Sequence, residues 1–252
     1  MPLATDLDPH KVNLGATRSP DLLVSEVFGP TIQGEGPSLG RRCSFVRLGG
    51  CNLGCSWCDT PYTWDWSGRN GARFDPGQEL HHRTVEDVWE ELVARGAEMV
   101  VISGGEPLLQ QDRLLPLLVR AHAKGWWLEI ETAGTIAPTG ELVRLVDRFN
   151  VSPKLANSGN REAQRRVPAA ISALRDSGKA AWKFVVVDSE DLDEVSGLVE
   201  SFGLAPVYVM PEGITEEVLR LRTQAIADEV LARGWNLTTR LHILLYGNRR
   251  GV

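Results

Sequence analysis

The chain has only four cysteines in 252 residues, and all four lie between positions 43 and 58. A disulfide framework spreads its cysteines along the chain to close long loops, so this clustering argues against one. It points instead to metal ligation in a reducing compartment, and the expected location is the cytoplasm. No apolar run approaches the roughly 20 residues a membrane helix needs. The first twenty residues hold Asp6, Asp8, His10 and Lys11 without an apolar core, which does not read as a secretory signal. A basic excess is missing too. The net charge is −6, whereas gripping a nucleic-acid backbone takes clustered Lys and Arg. The sequence shows neither internal repeats nor low-complexity tracts. What it does have is an ordinary globular composition, 42% hydrophobic and 24% charged. The expected organisation is an N-terminal extension over 1–20 and a single domain over 21–252.

Short apolar runs alternate with helical patterns. Residues Leu22–Phe28 and Cys43–Leu48 read as strands around the Gly/Pro-rich loop GPTIQGEGPSLG. Thr84 reads as an N-cap before Val85, Val88, Trp89, Leu92 and Val93, which share one helical face, with Gly96 as the stop. Further strands are expected over 98–103, 126–132, 149–152, 182–187, 206–210 and 237–241. Helices are expected over 112–124, 140–147, 161–177, 189–202 and 215–233, with Pro116 near the first turn of its helix and Pro168 a break point. Strands joined by helices imply a parallel sheet with right-handed crossovers. About six repeats fit an incomplete, splayed barrel, a (β/α)6-type partial TIM barrel, with its site at the C-terminal strand ends. The polar, Gly-rich segment 64–82 reads as an inserted loop, and its pair His81 and His82 as exposed.

Cys51, Cys55 and Cys58 form C-x3-C-x2-C within GGCNLGCSWCDT. Three thiolates on one tight loop can hold three irons of a 4Fe–4S cluster and leave the fourth iron without a protein ligand. An open iron can chelate the amino and carboxylate groups of S-adenosylmethionine, and one-electron reduction then yields a 5′-deoxyadenosyl radical. Structural zinc with Cys43 as fourth ligand is the alternative. Such sites use two ligand pairs set further apart, and Cys43 sits mid-strand like a small buried hydrophobe. A second motif, ISGGEP at 102–107, follows an expected strand. Its glycines allow backbone to approach a ligand closely, and Glu106 is an acceptor suited to an ammonium.

The spacing of the cysteines, followed by GGE, resembles the radical S-adenosylmethionine superfamily. Within it, EVFGPTIQGEGPSLGRRCSFVRLGGCNLGCSWCDT, ISGGEP, LEIETAGT, VSPK and the closing LHILLYGNRRGV resemble the 7-carboxy-7-deazaguanine synthases, from about Val24 to Val252. The resemblance implies a homodimeric lyase of queuosine and 7-deazapurine biosynthesis. Such an enzyme converts 6-carboxy-5,6,7,8-tetrahydropterin to 7-carboxy-7-deazaguanine with loss of ammonia. It further implies a 4Fe–4S cluster, S-adenosylmethionine, Mg2+ and an external one-electron donor, flavodoxin-like or ferredoxin-like. Neither a nucleic-acid nor a membrane partner is expected.

Carried onto this sequence, the resemblance implies cluster ligation by Cys51, Cys55 and Cys58. S-adenosylmethionine would meet Trp57, Cys58, Asp59, Gly104, Gly105, Glu106, Ser152, Pro153 and Lys154. Mg2+ would meet the hard oxygen of Thr60. The substrate would meet Ile32, Gln33, Gly34, Glu35, Arg47, Ser103, Glu131, His242 and the terminal carboxylate of Val252. The donor-rich, guanidine-like edge of a pterin calls for acceptors such as Gln33 and Glu131, and its carboxylate calls for Arg47 and His242. Two rival readings are another enzyme of the superfamily, such as a glycyl-radical activase, and a non-catalytic zinc module. The first gives no reason for the QGEG loop or the GNRRGV end.

Overall fold

The computed structural model describes residues 21–252, so the expected N-terminal extension lies outside the described residues. The chain runs through β1 (Leu22–Ile32), β2 (Arg42–Leu48), α1 (Pro76–Glu79), β3 (His81–Arg83), α2 (Val85–Ala94), β4 (Met99–Gly104), α3 (Gln111–Ala123) and β5 (Trp127–Thr132). It continues through α4 (Gly140–Leu145), β6 (Arg148–Val151), α5 (Glu162–Arg165), α6 (Pro168–Asp176), β7 (Ala180–Val186), α7 (Asp191–Phe202), β8 (Val207–Pro211), α8 (Glu216–Ala232), β9 (Asn236–Leu237) and α9 (Leu241–Tyr246). One sheet takes the order β3-β1-β2-β4-β5-β6-β7-β8-β9. β1 is antiparallel to both its neighbours, and every pair from β2 to β9 is parallel. The end strands β3 and β9 do not meet, so the sheet stays open, as a partial barrel does.

The strands are apolar because parallel sheets are covered on both faces. Val100, Ile102, Phe149, Trp182 and Phe184 are buried in the main core. Helix α2 begins where the sequence indicates. Thr84 Oγ1 accepts from Asp87 N at 3.1 Å while Asp87 Oδ2 accepts from Thr84 N at 3.1 Å, a reciprocal capping box. Among the described residues, no helix is long and apolar enough to cross a membrane.

Four elements differ from expectation. β1 continues past Phe28 to Ile32, because a register shift between Phe28 and Thr31 takes Gly29 and Pro30 out of the ladder. The 64–82 segment is not wholly loop. Asp75 caps α1, accepting from Gly77 N at 2.9 Å, and β3 then pairs with Leu22–Val24 as an edge strand. His81 and His82 on it are exposed. The expected helix over 161–177 splits into α5 and α6, with Pro168 at the first position of α6. The expected strand over 237–241 is cut to β9, because the QGEG loop captures the chain. Thr238 Oγ1 accepts from Gly36 N at 3.1 Å, and Leu241 N donates to Gly34 O at 2.8 Å. Pro116 also sits deeper in α3 than its first turn.

Candidate active site

The C-terminal ends of the parallel strands, the QGEG loop and the last residues of the chain surround a cavity of about 700 Å³. Of the site residues that the resemblance implies, all but Glu106 and Pro153 line it.

The loop after β2 carries the three thiols. It is pinned by Gly50 N to Thr63 O and Glu106 N to Gly50 O, both 2.8 Å, and by Ser56 N to Ser158 O at 3.0 Å. Cys51, Cys55 and Cys58 pack together with Leu53, Trp57 and Ala133. Asn160 Nδ2 donates to Cys55 Sγ at 3.2 Å, and Trp64 Nε1 to Cys58 Sγ at 3.3 Å. Hydrogen bonds of this kind stabilise sulfur bearing negative charge. Burial pushes all three thiols above the usual range, so loading iron displaces their protons. Among the described residues, no three His, Cys, Asp or Glu side chains converge on one point as a lone ion needs. Three thiols packed together on one loop at the cavity suit a cluster, in which each takes its own iron. Cys43 is elsewhere, 3% exposed among Phe28, Phe45, Met99 and Val101.

The ISGGEP motif spans the end of β4 and brings Ser103, Gly104 and Gly105 to the cavity. Glu106 is fully buried and does not line the cavity. Its oxygens accept from Leu108 N at 3.0 Å, Ala133 N at 2.8 Å and Thr132 Oγ1 at 2.8 Å, tying β4 to the end of β5. Pro153 is likewise buried behind the wall. The glycines are there for backbone packing. A Cβ on Gly105 would fall on the Gly50 carbonyl, and one on Gly104 on the Leu48 carbonyl, so only glycine lets β4 end against the cysteine loop. Ser103 Oγ is buried without a hydrogen-bond partner, and Ser103 lines the cavity; a polar ligand relieves such an orphan. Lys154 is not a free surface lysine. Its Nζ donates to Ser152 O at 2.9 Å and Ser152 Oγ at 3.0 Å, and lies 5.7 Å over the Trp57 ring.

The QGEG loop brings acceptors to the wall. Gln33 Nε2 donates to Glu131 Oε1 at 3.0 Å, and Gln33 Oε1 accepts from Glu35 N at 3.2 Å, so Gln33 orients both carboxylate-bearing residues. Glu35 pairs with Lys183 and, at 3.1 Å, with Arg240 Nε; Arg240 also pairs with Asp59. Burial alone would raise the Glu35 pKa, but these two cations outweigh it and hold the carboxyl well below the usual range. A Cβ on Gly34 would fall on the His242 ring, which packs there. Burial lowers the His242 pKa, so its imidazole is neutral at neutral pH. Arg47 Nε donates to Glu26 Oε1 at 2.7 Å, and Tyr62 Oη to the same oxygen at 2.9 Å. Thr60 precedes the turn 61–63, yet its hydroxyl makes no capping bond. It stands 3.7 Å from Cys58 Sγ.

Lys183, Arg240 and Arg250 escaped the sequence reading. Lys183 had a usable signal. A lysine inside AAWKFVV, in a parallel sheet covered on both faces, must find a partner. Arg240 and Arg250 carry none, because their partners lie far away in the chain.

An open, mostly parallel sheet with three clustered thiols at its C-terminal strand ends defines a radical S-adenosylmethionine protein, and the Radical SAM superfamily model matches residues 45–178. The chain is 38% identical over 241 residues to a 7-carboxy-7-deazaguanine synthase of Pyrobaculum aerophilum, covering 92% of this chain and 98% of that one. A protein of the same name from Rhodopirellula baltica is 34% identical, with 92% and 89% covered. The chain belongs to the 7-carboxy-7-deazaguanine synthase family. The crystal structure of QueE from Escherichia coli is similar at a TM-score of 0.66 and 26% identity, covering 88% of this chain and 95% of that one.

Proposed function

We propose that this enzyme converts 6-carboxy-5,6,7,8-tetrahydropterin to 7-carboxy-7-deazaguanine and ammonia in the queuosine or another 7-deazapurine pathway. The observation that carries this reading is one cavity with three thiols and, on the same wall, an acceptor set matched to a pterin. The reaction is redox-neutral overall, since substrate and product differ by one ammonia. When bound, the 4Fe–4S cluster and S-adenosylmethionine supply a 5′-deoxyadenosyl radical that takes hydrogen from the pterin. Cys51, Cys55 and Cys58 hold the cluster. Trp57, Ser152, Lys154 and the backbone at Gly104 and Gly105 form the S-adenosylmethionine pocket. Gln33 and Glu131 accept from the guanidine-like edge, Arg47 and His242 face the substrate carboxylate, and Ser103 offers its unpaired hydroxyl. The Val252 carboxylate is one more acceptor over the cavity mouth. Enclosure by the QGEG loop and the tail keeps the reacting centre dry.

The same reading has Mg2+ at Thr60, a flavodoxin-like or ferredoxin-like electron donor, a homodimer and a cytoplasmic location. Anaerobic incubation with S-adenosylmethionine, reductant, Mg2+ and the carboxytetrahydropterin, followed by mass spectrometry, tests the function; absence of the deazaguanine sinks it. In that assay Thr60→Val is expected to weaken stimulation by Mg2+ more than S-adenosylmethionine binding, because one hard oxygen is lost and no thiolate. Equal loss of both would show that Thr60 has another role.

A further inference from the structure

Residues 247–252 leave α9 through Gly247 and turn back so that Asn248 to Val252 line the cavity. A short segment after a terminal helix frays unless something ties it down. Here one side chain does. The Arg250 guanidinium lies 3.8 Å over the Tyr62 ring. Its Nη1 is 2.6 Å from Glu79 Oε2, its Nε 3.2 Å from Glu26 Oε2 and its Nη2 3.3 Å from Ser25 Oγ. An isolated exposed ion pair contributes little. This guanidinium instead meets two carboxylates, a hydroxyl and a ring face at once, which its planar fork permits. The anchor is fixed independently of the tail. Glu26 Oε1 is held by Arg47 and Tyr62, Ser25 and Tyr62 are each 8% exposed, and Glu79 ends α1 in the inserted segment. Gly251, at φ 73°, then turns the chain beside Glu26 before Val252.

We propose that Arg250 is a positioning residue: it latches the tail to Glu26, Tyr62 and Glu79 and so holds the Val252 carboxylate at the cavity mouth before substrate arrives. This rests on the reading of the cavity as a pterin site with the terminal carboxylate as a ligand. The physical gain is preorganisation, because the tail is ordered in the free enzyme and not at the expense of substrate binding. The latch also gives the 64–82 insert a task, since Glu79 is its docking point.

The test uses the cluster-loaded full chain in three forms: Arg250→Gln, a chain extended by Gly-Ser after Val252, and both together. Without substrate, Arg250→Gln is expected to release Val252 to a carboxypeptidase several-fold faster, with the cluster absorption unchanged. It should raise KM for the carboxytetrahydropterin about tenfold, the scale of one charge-assisted hydrogen bond, while kcat at saturation and KM for S-adenosylmethionine stay put. The extension alone should raise the same KM, and adding it to Arg250→Gln should raise it little further, because both disturb one element. Glu79→Gln should reproduce part of the carboxypeptidase effect. An unchanged carboxypeptidase rate, or strictly additive KM effects, overturns the latch. If the extension alone leaves KM unchanged, the terminal carboxylate is no substrate ligand and the proposal falls with that reading. A chain that makes no deazaguanine defeats the function reading, and the carboxypeptidase rate still judges whether Arg250 holds the tail.

Discussion

Cys51→Ala, Cys55→Ala and Cys58→Ala are each expected to abolish the brown iron–sulfur absorption and all turnover, whereas Cys43→Ala keeps both. The three thiols line the cavity and share its hydrophobic lining, and two of them accept N–H donors that favour charged sulfur. Removing one leaves too few protein ligands for a cluster that already has one iron open. Cys43 does not line the cavity. It is paired with Thr31 across β1 and β2, and its neighbours are two stacked phenylalanines, Met99 and Val101. Burial, with Glu131 and Glu129 nearby, pushes its thiol up to about 12, as burial raises the other three, so its place off the cavity and not its acidity keeps it from the cluster. Cys43→Ala removes one buried sulfur, which costs about 1 kcal/mol of stability and no iron. Iron and sulfide analysis with the visible spectrum decides. Loss of the cluster in Cys43→Ala, or its retention in any of the other three, would show that the wrong thiolates were assigned.

The second large effect is expected from Lys183→Met. Lys183 is 5% exposed and pairs with Glu35, which also pairs with Arg240, itself 6% exposed and bonded to Gly213 O at 2.7 Å. Breaking a buried pair leaves its partner's charge without compensation and costs about 3–5 kcal/mol. Arg240 softens the loss, so the lower end, about 3 kcal/mol, is expected as a fall in the unfolding midpoint. Glu35→Gln in the Lys183→Met background should recover part of it, because the stranded charge is then gone. The pH dependence has a definite sign. The Glu35 carboxyl is depressed in the folded state, so its contribution is present above the unfolded value of about 4.3 and lost as pH falls below it. Lys183 has the opposite shift. Burial would lower its pKa, but Glu131 and Glu35 raise it, so its contribution holds below the unfolded value of about 10.4 and fades as pH rises beyond. Chemical denaturation between pH 3 and 7 should be steeper in pH for the wild-type chain than for Glu35→Gln. Equal slopes would show that the pair carries no such linkage.

The sequence by itself determined what rests on local spacing. C-x3-C-x2-C puts three thiols on one loop, the alternation of strand and helix dictates a parallel sheet, and Thr84 starts its helix with its own side chain. Each is settled within a few residues, where backbone periodicity and capping operate. The QGEG, ETAGT and VSPK segments stood out through the family resemblance, and residues of all three line the cavity because strand ends of such a sheet converge. Their chemistry was less legible. Glu106 read as a ligand acceptor, yet the fold gives its oxygens to Thr132 and Ala133, which the order of β4 and β5 sets beside it. The short edge strand β3 hid in a polar insert because only pairing with β1, not its own residues His81–Arg83, makes it a strand. Tertiary structure alone decided the ion pairs. Glu35 and Lys183 are 148 positions apart, Asp59 and Arg240 181, and Glu26 and Arg250 224. A charge in sequence announces that it needs a partner. Which partner it meets depends on the order in which the strands are laid side by side, and that order follows from burying both faces of the sheet at once, not from any local stretch of residues.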